Sequence, residues 1–169
     1  MDFTSVVKGK RILVTDGFCK QVLPFLRSYK EMGCEVTVLC DSKLNCGYVS
    51  TLPEHKILAK GCDFRQCKGT EELLDRLVKS GKYDMLSTPL FDGTLKIVSH
   101  NKEKWSKYLK VCVNDKEIFD AAFDKNQVMR VCMENNIPCP LTLFKVSDIN
   151  DVINGEIKFP IIIKPRSMY

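Results

Sequence analysis

Apolar residues recur along this chain with two alternating periods, and the alternation sets its layout. Arg11 to Asp16 (RILVTD) is a short run of leucine and β-branched residues closed by Gly17, which predicts a buried first strand. Val22, Phe25, Leu26 and Tyr29 then fall at i, i+3, i+4 and i+7, the spacing of one helix face, and Gly33 supplies the stop. Glu35 to Cys40 (EVTVLC) predicts the second strand. A strand, helix and strand this closely spaced form a βαβ unit, with a parallel pair joined by a right-handed crossover.

The segment from Asp41 to Phe64 is less regular, with a third strand expected at Lys56 to Ala59. Thr70 reads as the cap of a helix whose first turn carries Glu71 and Glu72 and whose buried face is Leu73, Leu74, Leu77 and Val78. Tyr83 to Leu90 reads as a strand, Asp92 as the cap of a helix through Leu95 and Val98, and Lys110 to Val113 as a last short strand. Residues 1–114 are therefore expected to form one α/β domain, a Rossmann-like doubly wound parallel sheet of about five strands.

From residue 115 the rhythm changes. Ile118, Phe119, Ala122 and Phe123 predict a short amphipathic helix. Asp124 then reads as an N-cap, with Gln127 completing a capping-box pattern. Val128, Val131 and Cys132 mark the next helix's apolar face, and Asn135, Asn136 and Pro138 its end. Two β-like runs, Leu141 to Val146 and Ile157 to Ile163, flank a short helix expected at Ser147 to Asn154. Residues 115–169 thus read as the beginning of a separate α+β unit.

Composition narrows the function classes. The 169 residues are 44% hydrophobic and 28% charged, ordinary for a globular protein, and the net charge of +5 is spread without a lysine or arginine block. That pattern favours a solvated surface over a nucleic-acid footprint. The opening MDFTSVVKGKR lacks an apolar signal core, and no apolar run approaches the roughly 20 residues of a membrane span. A cytoplasmic protein with no membrane partner is expected. Nine cysteines without zinc spacing read as reduced, hydrophobic thiols, so no metal site is assigned. His55 and His100 show no triad partners.

Candidate chemistry lies at both ends. The first βα turn, TDGFCK, has one glycine where a dinucleotide fingerprint needs three. Asp16, Gly17, Asp92 and Gly93 follow predicted strands, the edge where open α/β sheets place ligands, and are nominated as a substrate edge. At the other end FPIIIKP is an apolar run closed by Lys164. An ammonium at the mouth of a buried strand is costly unless an anion meets it.

The order DKNQVMRVCMENNIPCPLTLF then FPIIIKPR resembles the start of an ATP-grasp domain. Its Lys-Pro-Arg ending is most similar to the carbamoyl-phosphate-synthase-like branch of carboxylate–amine ligases. The α/β unit before it resembles the pre-ATP-grasp domain. The resemblance implies that Lys125 and Lys164, 39 positions apart, contact ATP, with Arg166 assisting. It implies an N-terminal part of a ligase that activates a carboxylate as an acyl phosphate and joins it to an amine or ammonia. The glycine-rich loop and the Mg²⁺ ligands would lie past residue 169, so this stretch alone is expected to be inactive. The apolar run from Ile157 to Ile163, lacking later sheet partners, would favour a homodimer. Two other readings stay open: a non-catalytic α/β ligand-binding or interaction domain, and a nicotinamide-dependent Rossmann enzyme.

Overall fold

A computed structural model describes residues 6–144, 150, 153–154 and 160–165. The chain forms two compact units, Met1–Lys116 and Glu117–Tyr169.

The first unit is built on five parallel strands: β1 (Arg11–Val14), β2 (Glu35–Cys40), β3 (His55–Leu58), β4 (Met85–Leu86) and β5 (Lys110–Val111). Their spatial order is β3-β2-β1-β4-β5. Register is set by Ile12, which pairs with Val36 on one side and Met85 on the other. Side chains alternate between the sheet's two faces, which splits the core in two. Ile12, Val14, Val36, Val38 and Cys40 cluster with Val22 and Leu26 of helix α1 (Val22–Glu31). Leu13, Leu39, Leu86 and Val111 cluster instead with the helices that follow β3. These are α3 (Thr70–Val78), α4 (Asp92–His100) and the short α5 (Lys102–Trp105), while α2 (Cys46–Val49) follows β2. Trp105, fully buried, donates its indole N–H to Asp75 at 3.0 Å, so the largest core side chain leaves no polar atom orphaned.

Helix entries differ from the sequence expectation at two places. Thr70 does not cap α3: Gly69 holds the N-cap position in the left-handed conformation (φ 69°), and Thr70 is the first helical residue, buried, with its hydroxyl unpartnered. Asp92 does not cap α4 either. Phe91 occupies the N-cap with no side-chain cap bond, and Asp92 adds negative charge to the first turn. The strand expected over Tyr83 to Leu90 contracts to Met85–Leu86 because the chain beyond turns to meet the β1 exit.

In the second unit α6 (Lys116–Phe123) leads to α7 (Lys125–Glu134). Asp124 caps α7 as expected, its carboxylate accepting from the Asn126 and Gln127 amides at 2.9 and 3.3 Å. Its own N–H donates to the Asp120 carbonyl at the end of α6, so one residue closes one helix and opens the next. Asn136 takes the left-handed conformation (φ 53°) at the far end. The two expected strands are corrected where they can be seen: residues 141–144 and 160–165 form no ladder, since no described segment pairs with them. Asn150 and Ile153 are helical, whereas Ser147, the 145–146 part of the first run and the 157–159 part of the second lie outside the described residues.

Candidate functional site at the sheet's switch point

In a doubly wound sheet the connections leave in opposite directions from one point, and a crevice opens there beyond the strands' carboxyl ends. Here that point is between β1 and β4, because β2 and β3 extend to one side of β1 and β4 and β5 to the other. The exits of these two strands carry all four residues nominated as a substrate edge.

Asp16 stands buried at the β1 exit, beside this point. Its backbone is left-handed (φ 58°), which aims the side chain across to the β4 exit. One carboxylate oxygen accepts from the Leu90 and Phe91 amides at 2.8 and 3.2 Å and from the Thr15 hydroxyl at 3.0 Å. The other accepts from the Thr94 hydroxyl at 2.7 Å. The Leu90 and Phe91 amides just ahead of α4 are thus met by a residue 74 and 75 positions earlier in sequence. Burial pushes the carboxyl above its ordinary range, and the four hydrogen bonds oppose that shift. Asp16 is a cross-strand clamp with its acceptor capacity in use.

The two glycines are required by close approach. A Cβ on Gly17 would overlap the Cys40 thiol and come within 2.6 Å of the Leu39 carbonyl oxygen. The Gly17 amide donates to that same carbonyl at 2.9 Å, and the Gly47 amide donates to the Gly17 carbonyl at 2.8 Å. The glycine of the first turn is therefore packed against β2 and α2. A dinucleotide fingerprint would instead use it to admit a pyrophosphate. Gly93 is likewise buried, with Phe91 at 3.0 Å from any added Cβ and the Cys67 thiol nearer still.

Thiols surround this turn without forming a metal site. The Cys46 Sγ donates to the Gly17 and Cys19 carbonyls at 3.3 and 3.2 Å. Burial pushes Cys19 up to about 11 and Cys40 up to about 12, which suppresses the reactive thiolate. No group of three or more histidine, cysteine or carboxylate side chains suited to a metal occurs among the described residues.

Sequence reasoning missed three residues at this edge: Phe18, Arg65 and Phe91. Phe18 and Phe91 meet edge-to-face with centroids 5.5 Å apart, one from each side of the switch point. The Arg65 guanidinium lies over Phe18 at 4.8 Å. Arg65 belongs to an irregular stretch with no period to read, and Phe91 signals only a helix entrance. Their meeting is wholly tertiary.

The lysines lie in the second unit. Lys125 is the first residue of α7, exposed, its backbone fixed by the Asp124 cap. Lys164 is also exposed, and Ile162 and Ile163 before it are 83% and 87% accessible. The expected buried strand mouth is therefore absent from the described residues. Neither ammonium is hydrogen-bonded or ion-paired to another described residue. Arg166 lies outside the described residues.

The five-stranded parallel sheet with its flanking helices matches the fold of the N-terminal part of ATP-grasp enzymes. It is shared with N5-carboxyaminoimidazole ribonucleotide synthetase from Thermotoga maritima (22% identity, 93% of this chain and 39% of that one, TM-score 0.61). It is shared also with N5-carboxyaminoimidazole synthetase from Staphylococcus aureus complexed with ADP (18%, 88% and 36%, TM-score 0.59). L-amino acid ligase from Bacillus licheniformis is a third such structure (14%, 79% and 32%, TM-score 0.54). At these identities the likeness is one of fold, and the chain spans about a third of each structure's length. No protein-family profile and no curated protein sequence matches the chain. No helix among the described residues is long and apolar enough to cross a membrane.

Proposed function

We propose that these 169 residues are the N-terminal part of an ATP-dependent ligase. The whole enzyme activates a small-molecule carboxylate as an acyl phosphate and joins it to an amine or ammonia. The observation that carries this reading is the sequence of units: a five-stranded doubly wound sheet followed by a helix whose first residue, Lys125, stands on the Asp124 cap. The shared fold supports it, and one of the structures sharing that fold holds ADP.

Lys125 and Lys164 are free of anionic partners among the described residues and suit the charge of a nucleotide's phosphates, with Arg166 as a third cation. When bound, ATP would supply the phosphoryl group that activates the carboxylate. The part of these residues is to hold and neutralise the phosphates. The described residues do not fit Mg²⁺, which demands a set of oxygen ligands, so its carboxylates are assigned to the rest of the enzyme. On this reading the 169 residues alone neither turn over ATP nor bind it tightly. Exposed Ile162 and Ile163 would instead favour self-association of the isolated piece. The protein works in the cytoplasm.

Calorimetry of the full-length gene product with ATP and Mg²⁺ tests this. Saturable binding is expected, weakened about tenfold or more by Lys164→Ala, consistent with a lost charge-assisted contact. Tight binding of NADH without ATP, or unchanged ATP affinity in the variant, would overturn the reading.

A further inference from the structure

We propose that Arg65, seated on Phe18 at the carboxyl edge of the sheet, receives the oxyanion group, carboxylate or phosphate, of a small-molecule ligand. The inference deepens the ligase reading by naming the group through which substrate is held.

Phe18 follows β1 just after Gly17, and Phe91 immediately precedes α4 after β4, so their edge-to-face pair spans the switch point. Arg65 comes from a third segment, between β3 and α3, and lays its guanidinium over the Phe18 ring. A guanidinium held over a ring by cation–π attraction still has N–H groups to donate, and no hydrogen bond engages those of Arg65 among the described residues. Those groups match the two oxygens of a carboxylate or phosphate.

The carboxylates nearby are already engaged. Asp16 accepts four hydrogen bonds. Asp63 accepts from the Gln66 amide at 3.1 Å, and Asp41 from the Phe64 amide at 3.2 Å, so each is turned to the backbone that shapes the Arg65 loop. No carboxylate among the described residues is ion-paired with Arg65, whereas Arg11 on the opposite edge is paired with Asp84 at 3.0 Å. Beside the β1 exit Arg65 thus presents a cation that no described acid pairs with.

Amide and arginine Nε shifts of this chain, followed by NMR during titration with inorganic phosphate and separately with succinate at constant ionic strength, test the assignment. Wild type is expected to saturate in the range of about 1–10 mM, with shifts at Phe18, Arg65 and Phe91. Arg65→Gln should weaken binding about tenfold or more, and Arg65→Lys should restore part of it. Stronger binding of phosphate identifies a phosphate ligand, and stronger binding of succinate a carboxylate. No saturable shift with either anion, or equal binding by Arg65→Gln and wild type, would overturn the proposal. No nucleotide enters this experiment, so its failure is distinguishable from failure of ATP to bind the full-length protein.

Discussion

Asp16 Oδ1 accepts the Thr94 hydroxyl at 2.7 Å, and the two residues come from opposite sides of the sheet's switch point. With the Leu90 and Phe91 amides on the other oxygen, this pair ties the β1 exit to the entrance of α4.

Replacing Asp16 by alanine removes an acceptor from two backbone amides and two hydroxyls, all at a nearly inaccessible position. It also places a residue less tolerant of positive φ where φ is 58°. The expected cost is about 3 kcal/mol or more. Asparagine tolerates that backbone and keeps one carbonyl acceptor, but turns its NH₂ toward a donor, for an expected cost of about 2 kcal/mol. Urea unfolding of both variants checks the order. Alanine equal to wild type would remove the clamp from this account.

Thr70 offers the opposite sign. Its side chain is buried in the first turn of α3, and its hydroxyl is the one buried side-chain oxygen or nitrogen among the described residues that finds no partner. Valine has nearly the same shape and no hydroxyl. Thr70→Val is expected to stabilise the first unit by about 1 kcal/mol, because it relieves an unmet desolvation cost. A raised melting temperature confirms this, and a lowered one would mean that a water or ligand satisfies the hydroxyl in solution.

Local patterns carried β1, β2, α1 and α7 into the sequence reading, because each combines a clear period with its own stop or cap. Asp124 is legible since the amides it accepts from lie two and three residues ahead. The α4 entrance is not legible, because its acceptor is Asp16, from another strand. Thr70 misled for a related reason: Gly69 already supplies the left-handed turn, which moves threonine one position into the helix. The run PIIIKP carries a strand's composition, yet a strand needs a neighbour to bond with, and none is present among the described residues. At the candidate site Asp16 and Gly17 could be placed from the strand that ends beside them. Arg65 could not, because only folding brings it to Phe18.

At the sheet's other edge Arg11 and Asp84 provide a pH-dependent contribution of definite sign. The Arg11 backbone amide, Nε and Nη2 all donate to the Asp84 carboxylate, at 2.8, 3.1 and 3.0 Å. The guanidinium hydrogen bonds first, and then that backbone bond, lower the Asp84 carboxyl from 3.8 to about 2. Because the folded-state value lies below the unfolded one, the unfolded chain binds more protons between them, and stability rises with pH through that window. The contribution is fully present above pH 3.8 and is lost as pH falls toward about 2. Both side chains are partly exposed, so solvent and salt reduce its size, and added salt should flatten the slope. Urea midpoints measured down this range should fall more steeply for wild type than for Asp84→Asn. Parallel profiles would show that the pair forms equally in the unfolded chain or not at all.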